Sequence, residues 1–303
     1  MNYLYDDGVI QDYTKAVMWL EKAAKQKHDD AIGKLGMLYM GGTGVPKNEA
    51  KGVEYWIKAA ELGNVDSMLA LFRYYFDKKE YSNAAMWADR AAQAGSAEGN
   101  RMAQAIHSIC ACADEGIGVY EDALSDWTAV KKWAEVALRD FPTDSSEYAQ
   151  VQQNLNNAIY GISFAHYALK QYSEAIKSNT LQGTAAAILR ALCIDGIATA
   201  QASRQSRDLS VTAYRVLTCL EHDAAYFSAG KREPEERIFA LAVHRLACFY
   251  TFGLDGELKT DLERAVSLLH RAEQVVRNEK IRDFLVTSQQ RYKKKLLGGY
   301  KYE

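Results

Sequence analysis

The fold is decided by one stretch, AIGKLGMLYMGGTGVPKNEAKGVEYWIKAAELGN at residues 31–64, in which a glycine-rich segment separates two helical patterns. Three glycines between positions 41 and 44 raise the question of a phosphate-binding loop. Such a loop follows a β-strand and ends in Gly-Lys-Ser/Thr. Here a helical pattern precedes the glycines, and Asn48 rather than Ser or Thr follows Lys47. We therefore predict a tight interhelical turn, stiffened by Pro46 just before the next helix begins.

The helix after this turn recurs along the chain. KAVMWLEKAA at 15–24 is echoed by KGVEYWIKAA at 51–60, and three more worn copies follow. In every copy a small or apolar, a large and a small residue share one helical face. The five sets are Ala16, Trp19, Ala23; Gly52, Tyr55, Ala59; Ala84, Trp87, Ala91; Val130, Trp133, Ala137; and Ala265, Leu268, Ala272. Because small residues beside a bulky one let a neighbouring helix approach closely, we expect Trp19 and Trp87 to be buried.

Each copy, termed helix B, is preceded by a residue suited to cap a helix. These residues are Asp12, Asn48, Glu80, Asp126 and Asp261. Their side-chain oxygens can accept hydrogen bonds from the free N–H groups of the first turn. We therefore predict that a B helix begins immediately after each of them.

A second helical pattern, helix A, lies upstream of several B helices. It is read from the segments 31–40, 67–76 and 242–251, which align Leu35, Leu71 and Leu246, and four residues later Tyr39, Tyr75 and Tyr250. The pattern predicts antiparallel helix pairs joined by short turns. No segment shows the alternation of a β-strand, so an all-α chain is expected.

Composition excludes several classes of function. Lys and Arg number 37 against 39 Asp and Glu, which argues against nucleic-acid binding driven by net charge. The five cysteines are irregularly spaced, so we expect reduced and mostly buried thiols without disulfides or metal. The six histidines occur in no H-E-x-x-H pattern, and no G-x-S-x-G is present, so no catalysis and no cofactor are predicted.

The chain shows neither a secretory signal pattern nor an apolar run of about 18 residues. We therefore expect a cytoplasmic protein without membrane association. The first repeat is incomplete, because few residues precede its B helix. An upstream targeting segment, or a longer protein, would fit this start. The face carrying Val17, Leu20 and Ala24 is accordingly expected to lack neighbours and to promote end-to-end self-association.

The stretch 31–64 resembles a Sel-one-like repeat (SLR), the variant of the tetratricopeptide repeat with a longer A-to-B loop built on G-x-G-V. Residues 6–26 and 250–274 show the same resemblance, whereas 68–95 and 158–177 resemble the shorter tetratricopeptide form. The resemblance implies a right-handed α-solenoid of stacked antiparallel helix pairs.

Three regions are expected along the chain. Residues 1–143 hold Sel-one-like and tetratricopeptide-like repeats, 144–236 degenerate helical repeats, and 237–303 a C-terminal repeat plus a terminal helix. In the middle region, helices are expected near 184–202 and 209–228, with polar links at 201–210 and 228–237.

The resemblance also implies a concave surface, lined by A helices, that holds a protein or peptide segment. We therefore expect a non-enzymatic interaction scaffold or adaptor. Positions two before and two after the Leu35-type residue are expected to line this surface, and in the third repeat these positions are His107 and Ala111, on either side of residue 109. The residues expected to contact the partner are Lys34, Met37, Arg73, His107, Tyr160 and His244.

Two alternatives stay open. Some bacterial relatives neutralise a cognate toxin or effector, so an immunity or inhibitor protein is one of them. Some cysteine-rich relatives have been linked to β-lactam binding and hydrolysis. Those relatives carry paired cysteines in each repeat, and this chain does not.

Overall fold

The computed structural model describes residues 12–201, 204–231, 233–254 and 258–296. Within these ranges the regular elements are helices, and a single β-bridge joins Leu254 to Leu258. The all-α prediction is therefore confirmed. Of the helices in these ranges, none is both long enough and apolar enough to span a bilayer.

The helices follow one another with short connections. In the first half of the chain they are α1 (Tyr13–Lys25), α2 (Asp29–Gly41), α3 (Glu49–Glu61), α4 (Val65–Asp77), α5 (Tyr81–Gln93), α6 (Ala97–Ile117), α7 (Tyr120–Ala137) and α8 (Ser146–Ala168). In the second half they are α9 (Tyr172–Ser178), α10 (Thr184–Gln201), α11 (Arg204–Leu217), α12 (Cys219–His222), α13 (Ala224–Ser228), α14 (Glu233–Phe252), α15 (Leu262–Val275) and α16 (Glu279–Leu296).

The chain divides into two compact units. The first comprises residues 1–112 and 126–155, and the second comprises 113–125 and 156–303. In the first unit consecutive helices from α1 to α5 pack against each other, as the predicted A and B pairs require. Leu35 and Leu71 of the A helices are fully buried there. The sequence-predicted helix pairing is confirmed in this unit.

The second unit has its own core. Helix α10 packs against α9, α11 and α14, while α15 packs against both α14 and α16. Leu246 and Tyr250 of α14 are completely buried, and Leu268 of α15 is 2% exposed. Helix α14 is thus the A helix, and α15 the B helix, of the C-terminal repeat.

The glycine-rich stretch is a turn, as predicted. It joins α2 to α3, and within it Gly42 and Gly44 adopt left-handed backbone angles with φ of 72° and 73°. A Cβ atom on Gly44 would lie 2.6 Å from Cβ of Tyr13 and 2.8 Å from its carbonyl oxygen. Only glycine fits here, because the loop packs directly against the first turn of α1. The element before the loop is a helix, not the strand of a phosphate loop.

Three of the five predicted caps are present. The side chains of Asp12, Asn48 and Asp261 accept hydrogen bonds of 3.0, 3.0 and 2.9 Å from the backbone N–H three residues later. Glu80 occupies the N-cap of α5, but its side chain makes no capping bond to the backbone. The prediction for Asp126 is wrong, because α7 begins at Tyr120 and Asp126 lies inside it.

The two kinds of cap give a matched test. Asn48→Ala is expected to lower the free energy of unfolding by about 1 kcal/mol, because one N–H of α3 loses its acceptor. Glu80→Ala removes a side chain at the same helix position without removing a capping bond, and it should cost less than half of that. Urea unfolding followed by circular dichroism measures both. Equal losses in the two variants would contradict the assignment of the Asn48 cap.

The prediction that the large residue of each B-helix set is buried is correct for most copies and wrong for the first. Trp87 and Trp133 are each 4% exposed, and Tyr55 is partly buried, but Trp19 is 53% exposed. The predicted lack of neighbours around Val17 and Leu20 is also wrong. Both are buried against α2, in a cluster with Ala31, Leu35 and Leu38. The bulky residues that α1 exposes are Met18 and Trp19.

Two further expectations fail. The predicted polar links are too long, because α11 already begins at Arg204 and α14 at Glu233, so that only residues 229–231 of the second link form a connection. Residues 202, 203 and 232 of these links lie outside the described residues. The five thiols are free, as predicted, but they are not mostly buried. Cys193 is buried, Cys112 is exposed, and the other three are partly buried.

Candidate functional site

The A helices share a register that defines which of their residues stay open. In α2, α4 and α14 the fully buried leucine is followed four residues later by Tyr39, Tyr75 and Tyr250, which are buried or partly buried. Positions two before and two after the leucine lie to either side of this packed face. Among them Met37 is 52% exposed and Arg73 is exposed, whereas Leu69 is 7% exposed.

In α6 the register assigned from the sequence is wrong. Ile109, placed at the buried leucine position, is 45% exposed, while Ala103 is fully buried. Ala103 is the seventh residue of its helix, as Leu35 is in α2 and Leu71 in α4. The open positions of α6 are therefore Arg101 and Ala105, and both are exposed.

His107 consequently occupies the position of the repeat tyrosine, between two B helices. Its Nδ1 lies 2.5 Å from Oδ1 of Asp126 in α7, and its Nε2 lies 3.2 Å from each carboxylate oxygen of Asp89 in α5. Trp133 of α7 donates its indole N–H to Oδ1 of Asp89 at 2.7 Å. Asp126, which was expected to cap a helix, instead binds this histidine.

The charge of His107 follows from these contacts. Burial by itself would lower the pKa of His107, but the hydrogen bonds to Asp126 and Asp89, with their negative charges, outweigh it and raise the pKa to about 9. The ring is therefore protonated at neutral pH. An imidazolium held between two carboxylates links α5 to α7, so His107 is part of the packing rather than of the open surface.

The remaining predicted residues fall into different environments. Tyr160 is 6% exposed and belongs to the core of the second unit. Lys34 is partly exposed on α2. Arg73 is exposed and donates to Oε1 of Glu98 in α6 at 2.6 Å. The structure thus leaves Met37 and Arg73 open on the A helices and buries His107 and Tyr160.

In the second unit a cleft lies between α14 and α16, which we call the C-terminal cleft. It encloses a cavity of about 250 Å³. Its lining residues are Arg237, Ala240, Leu241, Asn278, Lys280, Ile281 and Phe284. His244 follows one turn after Leu241 on α14, and its ring lies 5.0 Å from that of Phe284, measured between centroids. Sequence reading found His244 but missed the α16 residues.

Beyond His244, the same face carries a thiol. Sγ of Cys248 lies 3.0 Å from Oη of Tyr292 and 3.6 Å from Nε2 of His244. Burial, followed by the charges of Arg291 and Arg245, lowers the pKa of His244, so this ring is neutral at pH 7.

The pair does not form a relay for nucleophilic catalysis. Nδ1 of His244 is buried and has no hydrogen-bond partner among the described residues, so no carboxylate orients the ring. In the part of the chain that the structure describes, no three His, Cys, Asp or Glu side chains are grouped so as to hold a metal ion.

The chain is similar to a known repeat family and to solved structures. The model of the Sel1 repeat matches residues 1–28, 29–64, 66–96 and 240–274. Among solved structures, the chain resembles c5321, "a protective antigen present in uropathogenic Escherichia coli strains displaying an SLR fold". The identity is 18%, over 97% of this chain and 78% of that chain, with a TM-score of 0.35. It also resembles a Sel1 repeat protein from Oxalobacter formigenes, with 17% identity over 91% of this chain and 84% of that chain, and a TM-score of 0.31.

The matched segments coincide with helices of the structure. The second covers α2 and α3, the third covers α4 and α5, and the fourth covers α15 and the larger part of α14. With these repeats and the sequential packing of their helix pairs, the chain is a Sel1-like repeat protein.

Proposed function

We propose that the chain is a non-enzymatic scaffold that binds a protein or peptide partner on the open faces of its A helices. The observation that carries this proposal is Met37, a large apolar side chain 52% exposed on a repeat helix whose other faces are packed. Exposed Arg73 and Arg101 lie on the next two A helices of the same unit. Met and Arg are enriched at protein interfaces, and Met adapts to varied partner surfaces.

The class of partner follows from the same features. Repeats that pack only against their neighbours present extended surfaces, which suit a protein segment better than a small substrate. The nearly balanced charge favours a protein over nucleic acid, and a membrane partner is not proposed. Self-association through α1 would use the exposed Met18 and Trp19. A cytoplasmic location and the three regions outlined from the sequence remain part of the proposal.

A pair of exposed methionines tests the surface. Met37 lies on the A helix α2, and Met86, which is 42% exposed, lies on the B helix α5. Met37→Glu is expected to weaken binding of a partner by at least about tenfold, as loss of a central interface residue does. Met86→Glu makes the same chemical change outside the proposed face and should leave affinity within about twofold.

The experiment uses the full chain as bait in a lysate of its source organism. Proteins enriched by the wild-type chain are identified by quantitative mass spectrometry, and their affinities for the two variants are then measured after purification. A partner that no longer binds Met86→Glu but still binds Met37→Glu would place the binding surface on the B helices instead. Turnover of a chromogenic β-lactam by the wild-type chain would contradict the non-enzymatic part of the proposal.

A further inference from the structure

We infer that the C-terminal cleft between α14 and α16 is a recognition site for an acidic peptide segment, in which a Glu or Asp side chain stands next to a bulky apolar one. This site lies in the second unit and is argued from residues other than Met37. Its test therefore succeeds or fails independently of the surface proposed above.

The cleft combines an apolar floor with two positive charges. Ala240, Leu241, Ile281 and Phe284 supply the apolar lining, and Phe284 is 38% exposed. A cavity of about 250 Å³ is at the small end for a cofactor site and suits one or two side chains. An incoming aliphatic side chain would cover Phe284, which the chain itself leaves open.

The charges stand on opposite walls. Arg237 belongs to α14 and Lys280 to α16, and no carboxylate is among the residues lining the cavity. Lys280 is exposed. The acidic residue nearest in sequence to Arg237, Glu236, is buried and already accepts the backbone N–H groups of Arg277 and Asn278 at 3.0 Å each. A ligand carboxylate is therefore the charge that complements this cleft.

The walls are held in place before any ligand arrives. The two hydrogen bonds that Glu236 accepts from the backbone of Arg277 and Asn278 fix the start of α16 against α14. The side chain of Asn278 then caps α16 by accepting from the N–H of Ile281 at 3.2 Å. Arg237 donates from Nη1 to Oη of Tyr120 at 2.7 Å, which orients its guanidinium. A site ordered in this way loses little conformational freedom on binding, which favours recognition of a short segment.

The probes are four blocked or free tetrapeptides. Acetyl-Gly-Glu-Leu-Gly-amide carries both required groups. Its Gln analogue removes the charge, its Glu-Ala analogue removes the bulky side chain, and acetyl-Gly-Gly-Gln-Leu with a free carboxyl end presents the charge at a chain terminus. Binding to the ¹⁵N-labelled full chain is followed by NMR titration. We expect the Glu-Leu peptide to bind at least about fivefold more tightly than each of the other three, with shifts concentrated at the starts of α14 and α16.

Two lysines of α16 provide the matched variants. Lys280→Gln is expected to weaken binding of the Glu-Leu peptide at least about fivefold, whereas Lys294→Gln removes the same charge from an exposed position of the same helix and should change it less than twofold. Because both side chains are exposed, both variants are expected to fold, and their circular dichroism spectra check this.

Several results would overturn the inference. Equal affinities for the Glu and Gln peptides would contradict it, and so would equal effects of the two lysine variants. The absence of binding of any of the peptides at a concentration of about 10 mM would also contradict it. Tighter binding of the free-carboxyl peptide would assign the cleft to chain termini instead of internal acidic segments. Since the bait experiment compares Met37 and Met86 variants that all retain Lys280, these outcomes leave the Met37 surface untouched.

Discussion

Replacement of Trp87 by alanine is expected to lower the free energy of unfolding by about 3–5 kcal/mol, whereas the same change at Trp19 should cost less than about 1 kcal/mol. The two residues occupy the same position of the repeat. Trp87 is 4% exposed and packs in one apolar cluster with Leu71, Ala103 and Ile106, while Trp19 is 53% exposed. Removing the Trp87 side chain therefore leaves a cavity among buried side chains, whereas removing that of Trp19 leaves no enclosed cavity because the side chain is half exposed to solvent.

The pair is informative because the chemical change is identical. Urea unfolding gives the free-energy losses, and hydrogen exchange of α4 and α5 locates the loss for Trp87→Ala within the first unit. Trp133→Ala offers a second buried case, in which Asp89 also loses its indole donor. If Trp19→Ala destabilised the chain as much as Trp87→Ala, the burial that separates the two positions would be refuted.

Most of the fold could be predicted from local sequence patterns. The small–large–small spacing of the B helices, the capping residues Asp12, Asn48 and Asp261, and the glycines of the first turn each act through residues within a few positions of one another. Such features can be recognised in a single sequence, because the residues that interact lie on the same helix or in the adjacent turn. They were sufficient to predict an all-α chain of paired helices.

Features that depend on distant neighbours were missed. Trp19 and Trp87 look equivalent in sequence, yet only the helices packed around them decide which is buried. Glu80 and Asp126 precede their sets at the same spacing as Asn48, but α7 starts earlier than the spacing implies. A capping residue type alone does not fix where a helix begins.

The register error in α6 had a usable indication. Ser96 accepts the N–H of Gly99 at 3.0 Å, just as Asn64 accepts that of Ser67 at 2.9 Å. Aligning these two caps places Ala103 in register with Leu71, and His107 with Tyr75. The register is hard to recognise from the sequence, because the small Ala103 stands where the other A helices carry a leucine, whereas the larger apolar Ile109 is exposed. Nothing in the sequence indicated the C-terminal cleft. Helix α16 lies outside the matched repeats, and its Lys and Arg residues are typical of a solvent-exposed helix.

The link made by His107 is expected to make stability depend on pH. Its pKa is raised from an ordinary 6.5 to about 9 in the folded chain, so the protonated ring is favoured by folding. This contribution is complete below pH 6.5, where the unfolded chain also binds the proton, and it is lost as pH rises through about 9. A shift of this size corresponds to roughly 2–3 kcal/mol after allowance for the partial exposure of Asp89 and Asp126.

Two histidine variants isolate the effect. His107→Gln should abolish the fall in unfolding free energy between pH 6.5 and 9, because glutamine does not titrate. His270→Gln changes a histidine whose side chain is 61% exposed and should retain the fall. His244 affects stability only below this pH range. Because folding lowers its pKa, its contribution to the free energy of unfolding changes only as pH falls through 6.5.

Thiols must be separated from the imidazole at the upper end of the range. Burial raises the pKa of Cys193 to about 12 and that of Cys219 above its usual value, so both also reduce stability as pH rises past the ordinary thiol pKa. Because the wild type and both histidine variants share these thiols, the difference between their urea-unfolding curves at each pH removes the common part. A slope in His107→Gln equal to that of the wild type would show that the proton on His107 does not hold α5 and α7 together.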